Sequence, residues 1–187
     1  MGTWERLTMK ATCPCGNGSL VREIDSPDYC FGRAYGHPPK LVCSVCAEEW
    51  VFRGDCRLIS LNYLTSPLVT ATYDLDQLRI SLVQEINAIK TDELKKQFAA
   101  CEFRYKAEEH RYLVQKGLFE GSYQSYLNDG LTKAVRRLNT ESVPACAALN
   151  EQLIAIESAS FYSRRARDKW FQDNRAQLEF IPEWRYV

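Results

Sequence analysis

At 187 residues the chain is long enough for one domain, or for a small one and a medium one, with a packed core. Its 24 basic residues balance its 24 acidic ones, so net charge gives no support to a protein that works by neutralising phosphates. No run approaches 18 apolar residues and the opening Met1-Gly2-Thr3-Trp4-Glu5-Arg6 reads as neither a secretory signal nor a myristoylation site, so the expectation is a soluble, cytoplasmic protein with no membrane contact.

The first informative stretch is 11–52. Cys13 and Cys15 precede a mostly polar loop, which closes with Cys43 and Cys46. The whole chain has eight cysteines, too few for a disulfide scaffold, and in a reducing compartment close pairs are metal ligands more often than bridges. In Cys13-Pro14-Cys15-Gly16, proline fixes one dihedral and glycine tolerates a positive one, so a tight turn brings two sulfurs together. Cys43-Ser44-Val45-Cys46 does the same with two residues between. Two such turns facing each other supply the tetrahedral thiolates that zinc prefers. Leu20-Val21-Arg22-Glu23-Ile24 has strand character, Leu41-Val42 leads into the second pair, and Trp50-Val51-Phe52 leads out.

This order of strands and cysteine turns resembles the zinc ribbons whose first knuckle reads Cys-Pro-x-Cys-Gly and whose second reads Cys-x-x-Cys before an aromatic strand. The first knuckle here is one residue shorter. The resemblance covers residues 13–52 and implies Zn2+ held by Cys13, Cys15, Cys43 and Cys46. Such modules bind protein or nucleic acid. Cys30 and His37 lie inside the long loop and could replace a ligand; the alternatives are a packed thiol and a surface turn residue. Cys56, Cys101 and Cys146 are isolated, which suits buried small hydrophobes. Tyr29, Phe31, Arg33, Tyr35 and His37 interleave aromatic and basic character that could stack on bases or cover the ribbon, although Asp25 and Asp28 cancel the local charge.

Gly54-Asp55 reads as a hairpin turn into Leu58-Ile59-Ser60-Leu61. Residues 64–73, with Ser66-Pro67, read as an irregular connector and the domain boundary. Asp74 to Gln77 resembles a capping box, followed by a helical stripe of Leu75, Leu78, Leu82, Ile86 and Ile89. A second stripe, Leu94, Phe98, Cys101, Tyr105 and Tyr112, is out of register with the first and predicts a break or a stutter near 90–93. Gly117, Gly121 and Gly130 bracket short helical pieces at 122–127 and 131–138. A last helix opens near 140–142 with Pro144 in its first turn, carries Cys146, Leu149, Leu153, Ile156 and Ser160, and runs towards Asn174. The fold class is α+β: a small N-terminal zinc-ribbon β domain with a flanking hairpin at 1–64, then a helical hairpin or bundle at 74–180 built on two or three long antiparallel helices.

Only two histidines, His37 and His110, are present, and no phosphate loop, His-Glu-x-x-His or strained Gly-x-Ser-x-Gly turn occurs. His110 reads as a solvated residue on a charged helix face. A four-thiolate zinc has no open position for water, so the chain reads as a non-enzyme. Aromatic residues crowd the C-terminal third, and with Arg they mark contact surfaces, so Phe161, Tyr162, Arg164, Arg165, Trp170 and Trp184 are the candidate partner-binding residues. The expectation is a regulator, adaptor or inhibitor that binds protein in a larger complex, such as those encoded by phages and mobile elements. Nucleic acid, held by the aromatic loop and the cations from Arg164 to Lys169, is the alternative partner.

Overall fold

The computed structural model describes residues 4–27, 33–54 and 56–187 and is an α+β protein. Contacts divide the chain into one unit of Met1–Ala71 with Arg164–Val187, and a second of Thr72–Ser163.

The first unit opens with an antiparallel hairpin of β1 (Trp4–Thr12) and β2 (Ser19–Pro27), in register from Trp4 opposite Pro27 to Thr12 opposite Ser19. Strand β1 had no counterpart in the sequence expectation. Its signal is the alternation of Leu7, Met9 and Ala11 with Arg6, Thr8, Lys10 and Thr12, which places Ala11 opposite Leu20 on the buried face. Two short strands, β3 (Tyr35–Gly36) and β4 (Lys40–Leu41), pair with β2. A short helix, α1 (Ser44–Glu49), follows, and then β5 (Trp50–Arg53) and β6 (Arg57–Ser60) form the second hairpin. Its turn lies where expected, with Cys56 at φ 67°, while Asp55 lies outside the described residues. Leu58, Ile59 and Ser60 are all buried, so both faces of this central strand are covered over these positions.

Residues 64–73 are not an irregular connector. Helix α2 (Leu61–Leu64) is followed directly by α3 (Pro67–Ala100). The Ser66 hydroxyl accepts the Val69 N–H at 3.4 Å, and Pro67 takes the first helical position, where its missing donor has no partner to lose. Asp74 to Gln77 therefore lies inside a helix and caps nothing. Of the break or stutter expected near 90–93, the helix does not break: Leu82, Ile86, Lys90 and Leu94 are buried at successive steps of four, the spacing of a stutter, and the stem of Lys90 carries the stripe across the apparent gap.

The second unit adds α4 (Lys106–Gln115) and α5 (Tyr123–Arg137), the latter bent at Asp129, beside Gly130, as the two short pieces in the sequence foretell. Two 3-10 turns, Thr140–Ser142 and Pro144–Cys146, lead into α6 (Ala147–Asp173). Within this unit α3 and α6 run antiparallel: the Thr72 and Ser163 hydroxyls meet at 2.6 Å, Ser160 donates to Asp76 at 2.7 Å, and Cys146 packs with Ile86 and Val143. The main core is Leu94, Leu113, Phe119, Tyr126, Ala134 and Val135.

The chain then closes the first unit with α7 (Arg175–Leu178), β7 (Glu179–Phe180) and β8 (Arg185–Tyr186). Strand β7 pairs with β6 and β8 with β1, so residues 164–187 group with the N-terminal sheets, where the sequence had placed residues up to 180 in the helical region.

Two substitutions test the helical core. Leu94→Ala, at a fully buried site, is expected to lower unfolding free energy by about 3 kcal/mol. Gly130→Ala would put a methyl group 2.0 Å from the Tyr126 ring and cost about 1–3 kcal/mol by denaturant titration.

Candidate metal centre

Cys13 and Cys15 sit in the loop that joins β1 to β2. The Gly16 N–H donates to the Cys13 carbonyl at 2.9 Å and the Cys13 N–H to the Gly18 carbonyl at 3.2 Å, with Gly16 at φ 78°, a conformation that favours glycine. Cys43 immediately precedes α1 and Cys46 lies in its first turn, where the Ala47 N–H donates to the Cys43 carbonyl at 2.9 Å. The second cysteine pair is thus the start of a helix. A backbone bond from Val42 N–H to the Ser19 carbonyl, 3.0 Å, ties the two loops together.

All four sulfurs lie within 4.8 Å of one another. Cys13 and Cys15 are 3.3 Å apart, and Cys15 and Cys43 3.6 Å. Zinc–sulfur bonds of about 2.3 Å in a tetrahedron put sulfurs about 3.8 Å apart, so the cluster is close to the size a thiolate-bound ion needs. Soft sulfur donors suit zinc and exclude calcium or magnesium as the natural occupant. Gly18 makes this closeness feasible: a Cβ there would lie 2.4 Å from the Cys43 Cβ and 3.0 Å from its sulfur. Its N–H also donates to the Cys13 sulfur at 3.1 Å. That hydrogen bond favours a thiolate.

Cys13 and Cys46 are buried, Cys43 is half-buried and Cys15 is exposed. The buried pair continues the core of Ala11, Leu20 and Leu58, against which Trp50, Phe52, Phe180 and Trp184 pack. Burial opposes ionisation of Cys13, yet hydrogen bonds from the Cys15 and Cys46 thiols and the Gly18 amide outweigh it and bring the group down to about 7. Burial pushes Cys46 up to about 12, and the neighbouring thiols add to the rise. A bound cation would draw the protons from its thiol ligands.

The other candidates fall differently. Cys30, with Tyr29 and Phe31, lies outside the described residues. His37 is not in the thiol cluster: its Nε2 meets Asp25 at 2.7 Å and its ring packs edge-on to Tyr35. Asp25 also receives two bonds from Arg6, and these partners, Arg6 first and His37 second, lower its carboxyl from 3.8 to about 2. Of the isolated cysteines, Cys146 is fully buried, Cys56 is half-buried and Cys101 is exposed, so the buried-hydrophobe reading fails for Cys101. His110 is not a freely solvated residue: its Nε2 lies 3.1 Å from the Gly121 carbonyl, and the Phe119, Tyr123 and Tyr126 rings surround it at 5.6–5.8 Å.

Among the partner-surface candidates, Phe161 and Tyr162 are 60% and 66% exposed and Arg164 and Arg165 are exposed. Trp170 is stacked on Tyr63 and Trp184 on Phe52, so these two rings, both half-buried, pack against the core of the first unit. Compared with known protein families, curated proteins and solved structures, the chain finds no match. No helix among the described residues is long and apolar enough to cross a membrane.

Gly18→Ala is expected to displace Cys43 and abolish stoichiometric zinc binding in a competition titration, whereas Gly16→Ala, which meets open space and only backbone strain, is expected to weaken it less. The Asp25 cluster sets a pH dependence. Because the folded carboxyl titrates below its ordinary value, its stabilising contribution is complete above about 4 and is lost as pH falls through about 2. Asp25→Asn is expected to be less stable than the parent at pH 7 and to converge with it at the acid end of a melting series.

Proposed function

We propose that this chain is a zinc-stabilised, non-enzymatic binding protein that regulates, adapts or inhibits a larger complex by protein–protein contact. The observation that carries the reading is the convergence of four thiols from two loops onto one point at the edge of the first unit's core. A four-sulfur set fills a tetrahedron and leaves no position for water or substrate, which makes the ion a structural element. Cys13, Cys15, Cys43 and Cys46 would hold it, and it would lock the β1–β2 loop to the start of α1.

Protein is favoured over nucleic acid because the 24 basic residues are balanced by 24 acidic ones and several cations are matched locally. Arg6 pairs with Asp25, Arg137 with Glu120 and Arg167 with Asp168, and the zero net charge gives no excess positive field for a phosphate backbone. The exposed Phe161 and Tyr162 rings, packed edge to face, are the kind of side chains that anchor protein interfaces.

Purified protein is expected to carry one zinc per chain by elemental analysis. Chelation is expected to remove the β contribution to the circular dichroism spectrum while most helix remains, because the metal is linked to folding of the first unit only. A metal-free protein with unchanged structure would refute the zinc reading. Capture from the native host that survives nuclease and high salt is expected for a protein partner; a salt-labile nucleic acid would overturn that part.

A further inference from the structure

We propose that the outer face of α6 is a self-association surface, which pairs antiparallel with the same helix of a second copy about a two-fold axis at Ser158. This rests on the reading of the Phe161–Arg165 stretch as a contact surface and names its occupant.

The inner stripe of α6, Leu149, Leu153, Ile156 and Ser160, is buried or half-buried. On the opposite side, Ala147, Glu151, Ile154, Ser158, Phe161 and Arg165 recur at alternating steps of four and three, and all are exposed. A solvent-facing stripe is ordinarily polar. This one has Ile154 at 59% and Phe161 at 60% exposure, with Tyr162 at 66% on its flank. Exposed apolar side chains aligned on one face, within a border of charge, mark an interaction site.

The pattern is complementary to itself when reversed. Glu151 lies seven residues before Ser158 and Arg165 seven after it, so antiparallel pairing brings each Glu151 level with an Arg165 of the other copy. Ile154 comes level with Tyr162, and Ala155 with Phe161, so each ring meets an aliphatic or small side chain. Ser158 meets itself and permits close approach. Parallel pairing would set Glu151 on Glu151 and Arg165 on Arg165, and a uniformly charged partner would match one end and repel the other. Among the described residues neither Glu151 nor Arg165 is engaged in an ion pair within the chain, so both are available to a second copy. The stripe from Glu151 to Arg165 is about 21 Å long, which gives an interface at the small end of the range, suited to a weak, concentration-dependent dimer.

Sedimentation equilibrium of the full chain tests this. The mass is expected to rise from 21.6 kDa towards twice that value as concentration passes from about 1 μM to about 1 mM. Glu151→Arg and Arg165→Glu are each expected to weaken self-association by about tenfold, since each sets like charges opposite each other. An equimolar mixture of the two variants is expected to restore it, as is the double reversal on one chain, with circular dichroism unchanged throughout. A mass that stays at 21.6 kDa at every concentration, or a dimer indifferent to both reversals, would overturn the proposal. If Phe161→Ala abolishes capture of a different protein while the parent stays monomeric, self-pairing is wrong and the contact-surface reading stands.

Discussion

The first unit depends on one constraint: sulfurs separated by up to 33 positions, from Cys13 to Cys46, must meet at a point. The backbone is shaped to allow this. A left-handed Gly16, a side-chain-free Gly18 and a helix that starts directly after Cys43 each remove an obstacle to close approach. The fully buried Leu20 and Leu58, with the aromatic rings of Trp50, Phe52 and Trp184, form the apolar layer beneath. That layer is thin, and small sheets of this kind commonly rely on a cross-link or an ion to supplement their core. The loops above it are brought together at the thiol cluster and by the backbone bond from Val42 to Ser19.

The second unit uses a different economy. Its packing comes from long helices, with Leu94, Leu113 and Phe119 at the centre, and from polar contacts between α3 and α6 such as Thr72 with Ser163. Hydroxyl pairs in a helix seam contribute modestly, and they fix register because each needs its partner. Helix α6 thus has an inner side with a defined polar and apolar order and an outer side with Ile154 and Phe161 exposed. The contrast between the two sides is what makes the outer one informative.

What the sequence revealed was local, and what it concealed was not. Two cysteine pairs with glycine and proline beside them announced the thiol cluster, and the kink near Gly130 was equally readable. Strand pairing by residues 179–180 and 185–186 was invisible, because two-residue strands have no periodicity and their partners lie more than a hundred positions away. Lys90 hid the continuity of α3, since a charged residue in a core stripe reads as an interruption until its stem is seen to be buried. Pro67 misled in the same way: a residue that breaks helices in their interior starts them at the first turn. The aromatic count was read as display, yet Trp170 and Trp184 pack against Tyr63 and Phe52. Composition shows how many rings there are, and only tertiary structure shows which of them pack against the core.

X-ray absorption at the zinc edge of the purified protein addresses the central claim most directly, because it reports the identity, number and distance of the donor atoms. Four sulfur scatterers at about 2.3 Å, with no nitrogen or oxygen in the shell, is the predicted result. A shell containing nitrogen or oxygen, or fewer than four sulfurs, would contradict the account, since Cys13, Cys15, Cys43 and Cys46 would then not act together as a closed site.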